Sequence, residues 1–370
     1  MAVLAGDRVK PEEDAVQCRA TRHDRPVAPL TRRRRARFCE PGAQSGPRVE
    51  SGGYTPAMDL PAGYKLRSPV PGDLDAVADV FIAEDPGDVG QVVLDADFLR
   101  DEWSRAGFDL ATDAWVVADP AGAIVGYVQT MLEEPNVESW GALHPEHQGL
   151  GIDALLLDRA EERASELMAG LPSPRFRFVI NAGDHVAEAL LQARGLRLVR
   201  HFWHMQIDFA GPFEPGPAPE GIEITGIEPA NDLAAVHAVL DEAFADHWDH
   251  HPEPFDRWAE EYTSVARYDP ALWLLAREGG RPVGALTASV QGDRGWVGDL
   301  GVLAPWRGRG IGAALLRRSL ATFSLRGLRR VVLSVDAQNP TGATALYERA
   351  GMRVVKRWDV WERSGQFWPH

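Results

Sequence analysis

The chain has 370 residues, of which 45% are hydrophobic and 25% are charged, a composition typical of a globular protein with room for two domains. Its formal net charge of −15 argues against nucleic-acid binding by the chain as a whole. No apolar run approaches the roughly 20 residues that a membrane-spanning helix needs, so no membrane partner is expected.

The first 57 residues differ in composition from the rest of the chain. They carry 11 Arg or Lys against 7 Asp or Glu, which gives this leader a net charge of +4 and leaves −19 for the remainder. The leader lacks hydrophobic periodicity, and its run Arg32–Arg35 is not followed by the apolar stretch of a secretory signal. We expect residues 1–57 to be disordered. Met58 is an alternative translation start, and a functional basic arm is the other interpretation.

Both cysteines, Cys18 and Cys39, lie in the leader. Disulfides, thiolate catalysis and cysteine metal sites are therefore excluded from the remainder, and a reducing, cytoplasmic compartment is expected.

Two similar segments follow the leader at an offset of close to 158 residues. Pro61–Leu66 resembles Pro219–Ile224, and Gly149-Leu150-Gly151 corresponds to Gly308-Arg309-Gly310. A period of this length indicates two copies of one domain rather than a solenoid. The predicted divisions are a first repeat over 60–209, a Pro/Gly linker over 210–218, a second repeat over 219–364 and a tail over 365–370.

The second repeat has the clearer pattern of strands and helices. The spacing of apolar residues predicts a strand at Glu223–Ile227, helices at Leu233–Phe244 and Phe255–Val265, and a hairpin of Leu272–Arg277 with Pro282–Val290. A strand at Trp296–Leu303 and a helix follow, and the residues that this helix is expected to bury are Ile311, Leu315, Leu316, Leu320 and Phe323. The last predicted elements are a strand through Val331–Val335, a helix capped by Asn339 that ends at Gly351, and a closing strand at Met352–Trp361. This order predicts an α/β fold with a mixed sheet.

A glycine-rich turn joins the third strand region to the following helix. The segment runs from Val302 to Gly312 and contains Gly308, Gly310 and Gly312. Backbone amides at such a helix start converge on a phosphate, and the helix dipole favours the anion. Arg307 and Arg309 add positive charge, whereas the alternative interpretation is an ordinary strand-to-helix turn. The turn lacks the Gly-Lys-Ser/Thr ending of a P-loop.

Residues 297–352 resemble the GNAT acetyltransferase superfamily. Arg307-Gly-Arg-Gly310-Ile-Gly312 matches the family's Arg/Gln-x-x-Gly-x-Gly/Ala pyrophosphate loop. Asn339 together with Leu346-Tyr347-Glu348-Arg349-Ala350-Gly351-Met352 resembles its second signature, with Met352 where phenylalanine is usual. Weaker similarity extends over 220–363 and the first repeat.

The resemblance implies that acetyl-CoA binds in a V-shaped gap between two splayed strands of the second repeat. It implies contacts to the pantetheine arm from Leu300, Val302 and Leu303, and a pyrophosphate held by residues Arg307, Gly308, Arg309, Gly310, Ile311 and Gly312. Asn339 would contact the cofactor arm, a role compatible with that of a helix cap. No metal is expected.

Tyr347 matches the family tyrosine that protonates the sulfur of CoA, and the alternative is an aromatic packed under the helix. Asp299 is the candidate base, since many family members place a carboxylate near this point. Strict strand alternation from Val302 would send its side chain to the opposite face, unless a β-bulge intervenes. A water chain is the other route for the proton.

The stretch His247-Trp248-Asp249-His250-His251 lies between the first two predicted helices of the second repeat. Three histidines permit a metal site, but lining of an acceptor pocket or a solvated loop fits the spacing better. Trp258 and Trp273 are expected in the core.

The first repeat departs from the family pattern at three positions. Asp153 replaces the last glycine of the turn, Leu191 stands at the position of Tyr347, and Gly183 at that of Asn339. We expect this repeat to be degenerate, to support the second one and to wall the acceptor site.

The implied activity is acetyl transfer to a primary amine, with a small-molecule acceptor, by a monomer or homodimer. Two alternatives remain at this point: acetylation of a protein N-terminus or lysine, which needs an open groove beside Tyr347, and a non-catalytic acetyl-CoA-binding module. The acidic second repeat favours a cationic acceptor.

Overall fold

The computed structural model describes residues 60–84, 94–105, 107–265, 267–339 and 341–364. These residues all fall in one compact unit. The expectations for the leader and for the 365–370 tail lie outside these ranges. Within them, no helix combines the length and apolarity needed to cross a membrane.

Each repeat has six described strands, of which the second to fourth follow one another without an intervening α-helix. The first repeat has strands β1 Lys65–Arg67, β2 Ala114–Ala118, β3 Ile124–Glu133, β4 Asn136–Leu143, β5 Arg175–Asn181 and β6 Arg197–Asp208. The second has β7 Ile222–Gly226, β8 Leu274–Glu278, β9 Arg281–Gln291, β10 Arg294–Val302, β11 Arg330–Asp336 and β12 Arg353–Ser364.

The described helices follow the same repetition. They are α1 Leu74–Glu84, α2 Ala96–Trp103, α3 Leu110–Asp113, α4 Ile152–Met168 and α5 His185–Ala193 in the first repeat, and α6 Pro229–Phe244, α7 Phe255–Thr263, α8 Ile311–Leu325 and α9 Ala343–Arg349 in the second. The mixed α/β fold is confirmed.

Most of the predicted elements of the second repeat are present. The β8–β9 hairpin turns at Gly279 and Gly280, both of which have positive φ, as a tight two-residue turn requires. On α8 the five predicted core residues are all at most 1% exposed. Trp258 and Trp273 belong to the same buried cluster, which confirms their core role.

The start of α9 was predicted incorrectly. Asn339 does not cap this helix, because its side-chain oxygen accepts hydrogen bonds from the backbone N–H and hydroxyl of Thr341 in a local turn. The residue before α9 is instead Gly342, with a φ of 76°. Gly351, with a φ of 94°, follows the end of the helix as predicted.

All twelve strands form one sheet in the order β1-β2-β3-β4-β5-β12-β6-β11-β10-β9-β8-β7. The last strand of each repeat lies among the strands of the other, since β12 pairs with β5 and β6 pairs with β11. These two exchanged strands also pair with each other. The strand predicted at Met352–Trp361 therefore exists, but it completes the strand row of the first repeat. We retain the divisions at 60–209 and 219–364 as a proposal for the two sequence repeats.

Candidate active site

Two neighbouring parallel strands of the second repeat diverge halfway along their length. β10 and β11 pair from Gly295 to Val297, opposite Val331 to Leu333. Beyond this point β10 pairs only with β9, and β11 pairs only with β6. The backbone groups of Leu300–Val302 that face away from β9 are therefore open to an added extended chain.

A β-bulge lies at the point of divergence. Val297 pairs with Ala288 and Leu300 with Leu286, so that Gly298 and Asp299 together oppose the single residue Thr287. The extra residue reverses the alternation that would otherwise turn Asp299 away from Val302. Both residues border the same cavity.

The turn between β10 and α8 presents a row of backbone donors. Gly308 and Gly310 have φ values of 77° and 81°, a conformation that favours glycine. Among the described residues, the backbone N–H groups of 308–313 have no hydrogen-bond acceptor. Unpaired amides at the start of a long helix form a site for an anion.

One cavity of about 660 Å³ connects this turn to the diverging strands. It brings together nearly all of the site residues expected from the sequence. Those that border it are Asp299, Leu300, Val302, Arg307, Gly308, Gly310, Ile311, Gly312, Asn339 and Tyr347. Leu303 is instead buried in the core, at 4% exposure, and Arg309 does not border the cavity.

The two arginines of the turn already have partners. The Arg307 guanidinium donates to the backbone carbonyls of Val302 and Ala243, at 2.9 and 2.8 Å. Arg309 forms an ion pair of 2.6 Å with Glu278. Arg307 thus fixes the shape of the turn, and the charge of Arg309 is offset by a carboxylate.

Asn339 joins the cavity to the His247 segment. Its side-chain amide donates a 2.7 Å hydrogen bond to Nε2 of His247, which also borders the cavity. Burial lowers the pKa of His247, and a neutral imidazole is the form that accepts this hydrogen bond.

Tyr347 lies on α9 with 7% of its surface exposed. Its hydroxyl has no hydrogen-bond partner among the described residues. Burial, with a smaller contribution from the charge of Asp299, raises the pKa of Tyr347 above its ordinary value. The phenol is therefore protonated at neutral pH and available as a proton donor.

Asp299 is held by two hydroxyl groups that the sequence did not single out. Its Oδ2 accepts hydrogen bonds from the Tyr262 hydroxyl at 2.9 Å and from Thr287 Oγ1 at 3.2 Å. Burial raises the pKa of Asp299, while the two hydrogen bonds oppose this effect. Tyr262 lies one helical turn after Trp258 and stacks on it, whereas no sequence signal identifies Thr287.

Comparison with known proteins places this geometry in a family. The acetyltransferase (GNAT) family profile matches residues 233–352. The mycothiol acetyltransferase of Streptomyces coelicolor is 34% identical over 252 residues, which cover 66% of this chain and 77% of that protein. The chain belongs to the GNAT acetyltransferase family. It is therefore an N-acetyltransferase by family, and GNAT acetyltransferases use acetyl-CoA.

Solved structures of GNAT proteins share the fold. A GCN5-related N-acetyltransferase from Sphaerobacter thermophilus is 34% identical, covers 83% of this chain and 97% of its own, and superposes with a TM-score of 0.74. A tandem GNAT protein from the clavulanic acid biosynthesis pathway has a TM-score of 0.61 at 17% identity, over 81% of this chain and 98% of its own. The latter similarity concerns the fold alone.

The equivalent GNAT site of the first repeat is nearly filled. The corresponding cavity measures about 70 Å³, and Asp153 and Leu191 are among its walls. The Asp153 carboxylate accepts a hydrogen bond from the N–H of Ala154, one of the amides that is free in the second repeat. In addition, β4 pairs with β3 without a bulge.

The first repeat also fixes the 247–251 segment of the second. Asp249 accepts hydrogen bonds or ion pairs from Arg175, Arg177 and Asn136 of the first repeat. The Arg177 guanidinium lies over the Trp248 ring at 4.4 Å.

Within the described ranges no group of side chains is suited to hold a metal ion.

Two smaller cavities meet the main one at Asp299. One of about 300 Å³ is lined by His247, His250 and His251, and the other, of about 340 Å³, by Tyr262, Arg267 and Ser289. Ion pairs between the repeats enclose the cavity of about 340 Å³, since Arg267 pairs with Asp101 and Arg294 pairs with Asp95.

Proposed function

We propose that this GNAT acetyltransferase transfers the acetyl group of acetyl-CoA to a primary amine of a small molecule by direct attack in the second repeat. The observation that carries the proposal is the 660 Å³ cavity, which has the free amides of the glycine turn at one end and Asp299 and Tyr347 at the other. The relatives named mycothiol acetyltransferase support it.

The residues present fit the donor that the family uses. The amides of 308–313 would hold the pyrophosphate, with Arg307 fixing the turn around it. The open backbone of Leu300–Val302 would pair with the pantetheine arm. Acetyl-CoA supplies a thioester whose carbonyl carbon is attacked by the amine nitrogen while the C–S bond breaks.

Asp299 and Tyr347 would handle the two protons of the reaction. Asp299, directly or through water, takes a proton from the amine, and its raised pKa brings it closer to the pH at which amines react. The Tyr347 hydroxyl gives its proton to the departing sulfur, which suits a phenol that burial keeps protonated.

The enclosure of the acceptor side favours a small molecule over a protein acceptor. A protein N-terminus or lysine needs an open groove beside Tyr347. Here the 247–251 segment is tied to the first repeat through Asp249, and ion pairs between α2 and the region after α7 close the other side.

The proposal is tested by Tyr347→Phe. We expect turnover to fall at least tenfold, because the proton donor is lost, with little change in acetyl-CoA affinity, since the hydroxyl does not contact the pyrophosphate site. CoA release with a panel of amines measures the first quantity, and calorimetry with acetyl-CoA measures the second.

Tyr64→Phe is the matched control, since Tyr64 lies in the first repeat and its hydroxyl bonds, among the described residues, to His147 alone. Full turnover in Tyr347→Phe would remove Tyr347 from the mechanism. Acetyl-CoA binding without CoA release for any amine would favour the non-catalytic alternative.

A further inference from the structure

A separate cavity of about 290 Å³ lies where the two repeats meet. Its floor crosses five neighbouring strands, from β4 through β5, β12 and β6 to β11. Phe202 and Ser334 border both this cavity and the cavity of about 660 Å³ in the second repeat. The two spaces are therefore adjacent at the point where β10 and β11 diverge. We call the smaller one the inter-repeat cavity.

The inter-repeat cavity has one carboxylate in an otherwise mainly apolar wall. Among the described residues, Glu138 has no hydrogen-bond or ion-pair partner. Burial raises its pKa to about 7, a shift increased by Glu133 and Glu102 and opposed by Arg177 and Arg105.

The two nearby arginines do not neutralise Glu138 directly. Arg177 pairs with Asp249 at 2.5 Å and with Glu362 at 3.0 Å. Arg105 pairs with Glu133 at 2.7 Å. Glu138 is half-buried, and a carboxylate that has lost part of its hydration without gaining a direct partner is costly. A bound cation would remove that cost.

The aromatic residues beside Glu138 also suit an organic cation. Phe81 and Phe98 pack against Trp140, with ring centroids 5.5 and 6.0 Å apart, beside Glu138. Aromatic faces attract cations and cover alkyl chains. Trp358 borders the cavity too, and its indole N–H is buried without a hydrogen-bond partner in the described part of the chain.

Glu138 and Ser334 lie at opposite sides of this cavity. Four strand-to-strand steps separate β4 from β11, which at about 4.8 Å per step gives roughly 19 Å between the two backbones. A cation bound at Glu138 is therefore too far from the diverging strands to be the nitrogen that receives the acetyl group.

We propose that the inter-repeat cavity binds the far end of an elongated acceptor, which has an apolar middle and a second cationic group that pairs with Glu138. The inference rests on the proposed function for the reacting end of the molecule. It makes Glu138, a residue of the first repeat, a specificity residue for a reaction carried out in the second.

A series of simple amines tests the charge preference with the full chain. Dodecylamine, 1,12-diaminododecane and 12-aminododecanoate share one alkyl length, which approaches the separation between Glu138 and the diverging strands, and they differ only in the charge at the far end. We expect kcat/KM from CoA release to be roughly tenfold higher for the diamine than for dodecylamine, and lowest for the amino acid. Equal values for the three compounds would overturn the inference without any variant.

Glu138→Gln should bring the ratio of kcat/KM between the diamine and dodecylamine close to one. Glu134→Gln is the matched control, because Glu134 lies on the same hairpin but is exposed, and in the described part of the chain it forms an ion pair with Arg257 alone. This control should keep the full ratio. A ratio that survives in Glu138→Gln would show that another group selects the charge.

Direct binding separates this inference from the proposed function. Calorimetry of 1,12-diaminododecane with the chain in the presence of CoA should give a dissociation constant that Glu138→Gln raises about tenfold. If this difference is seen while no amine supports CoA release, the proposed function fails and the cavity assignment stands. If amines are acetylated but the dissociation constant is unchanged in the variant, the cavity assignment fails alone.

Discussion

At the scale of single residues, Asp299 depends on its two hydroxyl partners. Hydrogen bonds from Tyr262 and Thr287 stabilise its charged form and so lower its pKa against the effect of burial. Removing one donor raises the pKa further. More alkaline solution is then needed before Asp299 can accept a proton.

Tyr262→Phe should therefore move the acidic limb of the kcat/KM profile upward by about half a pH unit or more. The measurement is kcat/KM against pH for one amine. Tyr268→Phe is the control, because Tyr268 borders the cavity of about 340 Å³ that Tyr262 also lines. Its buried hydroxyl has no hydrogen-bond partner among the described residues. A limb that stays in place in Tyr262→Phe would argue that Asp299 is not the base.

The charge of Glu138 is expected to lower the free energy of unfolding, whereas the charge of a carboxylate paired with a cation raises it. Its folded-state pKa of about 7 lies above the ordinary value of 4.5, so it reduces the free energy of unfolding as the pH rises through this interval. Glu138→Gln should stabilise the chain by about 1–3 kcal/mol at pH 8 and much less at pH 5. Thermal unfolding at both pH values measures this, and a destabilised variant at pH 8 would contradict it.

The residue types of the site could be predicted from the sequence better than their contacts. Motif matching identified Tyr347 and the glycines, which border one cavity. Strand alternation alone places Asp299 on the wrong face, and only the bulge, which the sequence leaves optional, corrects this. Thr287 and Glu138 could not be found, because their significance depends on neighbours distant in the chain.

At the scale of elements, the two glycine turns form a natural comparison. In the turn before α8, six backbone amides have no acceptor among the described residues, whereas in the turn before α4 the Asp153 carboxylate accepts from the equivalent of one of these six. Asp153 stands where the second repeat has Gly312. Two negative charges about 4 Å apart repel by about 4 kcal/mol at an effective dielectric constant of 20, before exposure reduces the value.

Gly312→Asp should therefore weaken acetyl-CoA binding at least tenfold in calorimetry. Gly312→Ala is the control for added bulk, since its new Cβ would lie 3.2 Å from the flexible end of Leu346. Unchanged affinity in the aspartate variant would mean that the turn does not hold the pyrophosphate.

Local sequence patterns predicted an element correctly where the pattern was compatible with a single local structure. The β8–β9 hairpin and the buried face of α8 follow directly from the Gly-Gly pair and the helical spacing. The start of α9 did not, because Asn339 serves equally well as a helix cap and as the first residue of a side-chain turn. Only the surrounding contacts, including the one to His247, decide between these.

At the scale of the whole molecule, the exchange of β6 and β12 was outside the reach of local patterns. Both strands have 12 residues, and the pattern of hydrophobic residues in them does not indicate which repeat they join. The sequence could predict two copies of a fold, but not that the copies share strands.

Cutting the chain between the repeats should leave the two fragments associated. A specific protease site inserted after Gly216 would be cut in a segment held on α8 by Arg317, which donates to the carbonyls of Glu214 and Pro215. The fragments should elute together on gel filtration, because separation would expose edges of β5, β6, β11 and β12. They should separate in denaturant, with the uncut protein as the reference. Fragments that separate in native buffer would contradict this topology.

The exchanged strands also constrain how a gene for this chain can change. The first repeat no longer needs residues that bind a ligand in its own nearly filled cavity. Its final strand, however, is part of the strand row of the second repeat, which holds the candidate active site. Leu191 packs in the same buried cluster as Trp361 of β12, so a substitution there also affects a strand that the second repeat supplies. Loss of either repeat would leave β5 or β11 of the other without its neighbouring strand.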